Sequence, residues 1–290
     1  MTNLENRYRA LLRLLPPWYR AEREEEMVGL FLADRTDDLD LEHGWPGWGE
    51  TGATIALAVR TRFAASGAPA RAVAAGDVVR LVALVGALVL GAYAAQGLLL
   101  SPIPAGGPVP LADLAALAGS VAVVTGFRGV AKALFTALSV LALVRLVLEW
   151  TGPTTPLDLF WQVPLWLTTL ALVTGFHRDV PTPALGRWRW ALAGAAVVSG
   201  AALVHPYSPY PVTTIAVVPA AVVGAGLLRR RSPVAATALG VWIAALLPIE
   251  LVYADHPGVA AVAAVMVAAA TALLVVGLRG LRRPAPPVTP

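Results

Sequence analysis

The chain has 290 residues, 57% of them hydrophobic and only 14% charged, with no cysteine and a formal charge of +4. Soluble domains carry about 25% charged residues, so the chain as a whole does not read as soluble, and the missing cysteine excludes disulfides, thiolate metal sites and cysteine nucleophiles. The positive excess is not a nucleic-acid signal, because residues 1–76 hold nine Arg against eleven Asp and Glu, which disfavours DNA binding there.

Residues 1–40 read as a helical hairpin. Leu4, Tyr8, Leu11, Leu12 and Leu15 share one face of a first helix over about 4–15. Pro16-Pro17 breaks it, since proline removes a donor and restricts the residue before it. A second helix over about 18–34 has Trp18, Ala21, Val28, Phe31 and Leu32 on an apolar stripe. Glu22, Glu24, Glu25 and Glu26 form its polar face and are the candidate partner-binding surface. Trp18, Leu11 and Phe31 are the expected core of this module.

The turn-rich segment Gly44-Trp45-Pro46-Gly47-Trp48-Gly49 follows. It leads into a third helix over about 50–66. There Gly52, Ile55, Ala56, Val59 and Phe63 share a face flanked by Arg60 and Arg62. That face suits either a helix lying at a membrane surface or a cap on the hairpin, and capping is the simpler expectation. Residues 1–76 are thus expected to form a cytoplasmic helical module.

From Val78 onward the chain alternates apolar stretches with short connections. Eight spans are expected at about 78–100, 109–127, 133–150, 158–176, 189–205, 212–228, 234–253 and 258–278, each near the roughly 20 residues a bilayer requires. Connections without Lys or Arg (101–110, 151–157, 205–212, 254–257) alternate with basic ones: Arg128 and Lys132, then Arg178, Arg187 and Arg189, then Arg229 to Arg231, then Arg279, Arg282 and Arg283. This is the positive-inside pattern, and it places both termini in the cytoplasm. The expected fold is therefore all-α: an eight-span transmembrane bundle over 77–290, in the cytoplasmic membrane, behind the N-terminal module. The polar N-terminus does not read as a cleavable signal peptide. Gly126, Gly175, Gly226 and Gly277 recur at nearly equal spacing near the cytoplasmic ends of the even-numbered spans. Such a period fits duplicated hairpins but also any array of equally long hairpins, which is the simpler account.

The chemical inventory is thin. No metalloprotease, nucleophile-elbow or phosphate-loop motif occurs, and no cofactor, metal or enzymatic activity is expected. His205 and His256 share no ligand spacing. The informative groups are charges within or beside the spans: Asp113, Arg145, Glu149 and Glu250. Arg145 and Glu149 have i,i+4 spacing. Ionisable groups inside a bilayer are costly and point to function, so the four are a candidate outward-facing polar cluster. The simpler alternative is that they snorkel to water from helix ends.

The stretch Arg7-Tyr8-Arg9-Ala10-Leu11-Leu12-Arg13-Leu14-Leu15-Pro16-Pro17-Trp18-Tyr19-Arg20, followed by Glu22-Arg23-Glu24-Glu25-Glu26-Met27, resembles the N-terminal permease-prefix and HAAS-type helical modules of actinobacterial membrane proteins. The resemblance covers about 60 residues. It implies a cytoplasmic hairpin ahead of a transmembrane region, accompanied in some members by PadR-type regulators and in others by permease regions. It brings no catalytic residues. The resulting expectation is a non-enzymatic regulatory or signalling partner of a cytosolic protein, with lipid bilayer around it and no nucleic acid. The alternative is a small-solute transporter using the outer cluster. Oligomeric state is not legible.

Overall fold

The computed structural model describes residues 3–33, 44–64, 66–100, 110–149, 157–177, 180, 232–252 and 257–282. At some helical positions, Glu149 and Glu250 among them, only the backbone is described. The described residues form helices and no strands: α1 Asn3–Leu12, α2 Pro17–Ala33, α3 Trp48–Arg62, α4 Ala70–Leu100, α5 Leu111–Thr125, α6 Arg128–Glu149, α7 Leu157–Gly175, α8 Pro233–Val252 and α9 Pro257–Arg282. The chain divides into two compact units, Met1–Gly76 and Asp77–Pro290.

In the first unit, Pro17 opens α2 at the position where a missing N–H costs nothing. The carbonyls that α1 leaves unpaired are met by a tight turn, with Leu14 N–H donating to Leu11 O at 3.1 Å and Leu15 N–H to Leu12 O at 2.9 Å. The core comprises Leu4, Tyr8, Leu12, Leu15, Val28, Phe31 and Ala58, with the Tyr8 and Phe31 rings stacked at 3.8 Å. Trp18 is not part of it. That ring is half-buried and packs edge-on against Tyr19. Leu11 packs at the margin of the core.

Helix α3 also differs from expectation. Its buried residues are Thr54, Ala58 and Thr61, while Gly52, Ile55 and Ala56 are exposed. The polar-looking face caps the hairpin and the apolar face looks outward. The threonine hydroxyl explains how: Thr61 Oγ1 donates to Leu57 O at 2.9 Å within its own helix. A buried hydroxyl satisfied this way leaves its methyl free to pack. Arg62 Nη2, donating to Leu14 O at 3.0 Å, ties α3 to the hairpin turn.

Among the described residues, three helical stretches are long and apolar enough to cross a membrane: Ala70–Ala95, Arg128–Leu148 and Ala263–Arg282. They make the chain compatible with a membrane protein. The apolar stretches Leu111–Thr125, Gln162–Gly175 and Pro233–Ile249 are shorter. At 1.5 Å per residue, α5 covers roughly 22 Å against a hydrocarbon core of about 30 Å. It stops at Gly126, whose φ of 88° gives a left-handed cap. The eight expected spans are therefore met by three helices of spanning length and three shorter ones, while 189–205 and 212–228 lie outside the described residues.

Helix α4 is the hub of the second unit. Of its spanning window 56% is buried, against 11% for α6 and 17% for α9. Close approach requires glycine at Gly86, where an added Cβ would collide with Thr168 of α7 and Trp242 of α8. Trp242 Nε1 donates to Val82 O at 2.7 Å, and Ser120 Oγ of α5 donates to Ala87 O at 2.5 Å. These bonds join α4 to its neighbours where water cannot compete.

The recurrent glycines have unlike roles. Gly126 caps α5, Gly175 ends α7 against Val79 and Arg80, and Gly277 lies inside α9 against Thr237 and Pro233. Gly226 lies outside the described residues. Three different environments at one spacing fit equal hairpin lengths better than duplicated geometry.

Candidate functional site

Two places carry polar chemistry, one in each unit. In the second, α6 and α7 meet along a polar seam. Ser139 Oγ and Thr169 Oγ1 lie 2.7 Å apart, and Trp166 Nε1 donates to Ser139 O at 3.4 Å. Nearby, a cavity of about 270 Å³ is lined by Ala112, Leu138, Ala142, Arg145, Gln162 and Leu165, among others. Its polar groups are Arg145 and Gln162, the rest of the wall being apolar. Ligand pockets typically combine an apolar wall with a few placed polar groups, and this one sits near their lower size limit of about 300 Å³. A cation and an amide together suit a small anion.

The four expected cluster residues are distributed as follows. Arg145 lines the cavity. Asp113 is half-buried and faces Gly97 of α4, where an added Cβ would stand 3.1 Å from Oδ2. Its chain neighbour Ala112 reaches the cavity wall. The side chains of Glu149 and Glu250 lie outside the described residues.

At the opposite end of α6, one cation caps the following helix and a second bonds the chain beyond it. Lys132 Nζ donates to Phe176 O at 2.5 Å, beyond the last turn of α7, and Arg128 Nη1 donates to Val180 O at 2.6 Å. The Arg128 guanidinium also lies 5.5 Å from the Phe176 ring centre. Positive charge is favourable at a helix C-terminus.

Arg80 of α4 stands outside the cluster expected from the sequence. It is only 9% exposed and donates from Nη2 to Asp77 Oδ1 at 2.8 Å. The signal was an Asp-x-x-Arg spacing at the mouth of an apolar run, which places the two groups one turn apart.

In the first unit, the carboxylates of α2 are less free than their sequence suggests. Arg9 of α1 grips Glu25 with both terminal nitrogens, at 2.6 and 2.8 Å. It also bonds Glu5 at 3.0 Å and stands 3.7 Å from Glu24. The hydrogen bond from Arg9 holds the Glu25 carboxyl below its usual range, and the same bond raises the Arg9 guanidinium. Glu26 pairs with Arg23 at 3.1 Å. The acidic run therefore splits. Glu24 and Glu25 face α1 and clasp the hairpin, while Glu22 and Glu26 stand exposed on the outer side. Leu30, one turn beyond Glu26, is 69% exposed and extends that outer row.

Among the described residues no group of His, Asp and Glu is placed to hold a metal ion. No protein family, curated protein or solved structure matches this chain. The likeness of residues 7–27 to permease-prefix modules thus rests on those residues alone.

Proposed function

We propose that the chain is a multi-pass protein of the cytoplasmic membrane, non-enzymatic, whose N-terminal helical module receives a cytosolic regulator protein. The basic connections support eight spans with both ends in the cytoplasm. The observation that carries the partner reading is the outer row of α2. Glu22, Glu26 and Leu30 stand exposed, one turn apart, on a module whose own core is already closed. A solvated leucine set behind carboxylates is the type of feature a helix groove with a basic rim recognises.

The structure also changes the choice of mutation. Reversing Glu25 breaks the Arg9 clasp and so confounds binding with folding. Glu22→Lys with Leu30→Ser alters the outer row alone. In gently extracted membranes, this double variant is expected to lose at least about tenfold of one defined co-purifying cytosolic protein. Retention at wild-type stoichiometry would sink the reading.

A second reading, a small-solute transporter, is favoured by the cavity beside Arg145 and Gln162. It predicts that Arg145→Gln fails to complement a deletion phenotype at normal membrane levels while Glu22→Lys/Leu30→Ser complements fully. The partner reading predicts the reverse.

A further inference from the structure

Helix α3 is turned the wrong way round for a helix whose only neighbours are protein and water. Thr54 and Thr61 are buried at 2% and 8% exposure, whereas Trp48 is 85% exposed and Ile55 48%. The preceding turn repeats the inversion: Pro46 is fully buried and Trp45 is 59% exposed. Gly47, with φ of 89°, lets the chain turn there so that both indoles stay outside.

Trp48, Gly52, Ile55 and Val59 are spaced to share one helical face. Exposed Ala56 extends it, and the exposed Arg60 borders it on one side, while Arg62 on the other side gives one nitrogen to Leu14 O. Glu50 lies off this face by helical spacing. Indole rings with an apolar body and a polar N–H concentrate at the boundary between acyl chains and headgroups. Arginines flanking an apolar stripe reach the phosphates of anionic lipid. The charge is complementary to a membrane surface, and residues 63–69 join α3 directly to α4, which has the length and composition to cross one.

We propose that the outward face of α3, with Trp45 of the preceding turn, is an interfacial anchor that lays the module on a bilayer surface rich in anionic headgroups. The proposal stands apart from the partner reading, because the outer row of α2 and this face of α3 share no residue.

The absence of cysteine makes the test direct. Ile55→Cys, Trp48→Cys and, as reference, Glu22→Cys are introduced singly into the full chain and spin-labelled. The protein is reconstituted in phosphatidylcholine vesicles with or without phosphatidylglycerol. Collision rates with oxygen, which concentrates in the bilayer, are compared with those of a water-soluble nickel chelate. The oxygen-to-nickel ratio at positions 48 and 55 is expected to exceed that at 22 by about threefold or more with phosphatidylglycerol. It is expected to fall towards the reference in its absence or when Arg60→Ser is added. Ratios at 48 and 55 equal to that at 22 in both lipids overturn the proposal. Shielding from both reagents at once also overturns it, because a protein then covers the face, and so does a short 55-to-55 distance between copies, which identifies a second chain as the occupant.

Discussion

The two units bury large apolar side chains alike but are covered by different residues. In the first unit the large side chains Leu4, Tyr8, Leu12, Leu15 and Phe31 are inside and charge is outside. In the second, large side chains such as Trp242, Phe135 and Leu239 are buried as well, but small residues and hydrogen-bonding groups sit among them where helices meet: Gly86, Ala87, Gly91, Ser120 and Thr168. Leucine and valine cover the outside of α6 and α9, as at Val140, Leu143, Val147, Val265 and Val276. Water drives the first arrangement by expelling apolar surface. Lipid is as apolar as leucine, so it gives no such drive, and helices associate by close packing and interhelical hydrogen bonds instead. The apolar outside of α6 and α9 is compatible with a membrane environment for the second unit.

Three experiments can break or sharpen that contrast. The largest effect is expected in the water-facing unit. Leu12 is fully buried, and Leu12→Ala should destabilise the module by about 2–5 kcal/mol. Hydrogen exchange on the full chain in nanodiscs should show protection lost across α1 and α2 and retained in α4. Loss in both units together would mean that they do not have separate cores. A smaller effect, about 1–3 kcal/mol, is expected for overpacking the hub. Gly86→Val has no room beside Thr168 and Trp242 and should lower the thermal unfolding midpoint of the bundle in detergent while leaving α1–α2 exchange unchanged. Wild-type behaviour of this variant would refute close packing around α4.

The smallest effect concerns pH. The folded-state pKa of Glu25 lies below the ordinary 4.5 of a glutamate. Its pairing with Arg9 therefore stabilises the hairpin fully above that value and is lost as pH falls below it. Protection of α1–α2 amides should be flat from neutral pH down to about 5 and then decline, with Glu25→Gln removing this component of the decline. The pair is exposed, so solvent screening keeps its contribution modest.

Much of the helical layout was legible because its signals are local. Pro16-Pro17 separates α1 from α2, Gly126 closes α5, and apolar runs mark α4, α6 and α9. The α1 stripe of Leu4, Tyr8, Leu12 and Leu15 was readable from helical spacing for the same reason. The orientation of α3 was not legible. A helical wheel ranks its faces by apolarity, whereas the hairpin selected the face that fits, using threonines, one of which, Thr61, has its hydroxyl satisfied by its own helix. The division of the acidic run was hidden as well. Whether Glu25 or Glu22 faces a partner depends on where Arg9 of another helix stands, and no spacing within α2 encodes that. The cavity beside Arg145 depends on Gln162 of α7, which carries no charge to draw the eye.

The cap that Lys132 places on the end of α7 has a chemical corollary. Lys132 is the only lysine in the chain, so it carries the sole side-chain amine, and that amine is engaged with two backbone carbonyls, at 2.5 and 3.4 Å. Acylating reagents, aldehyde fixatives and enzymes that conjugate to lysine thus find a single side-chain target on this polypeptide. They compete for it with the carbonyls at the end of α7.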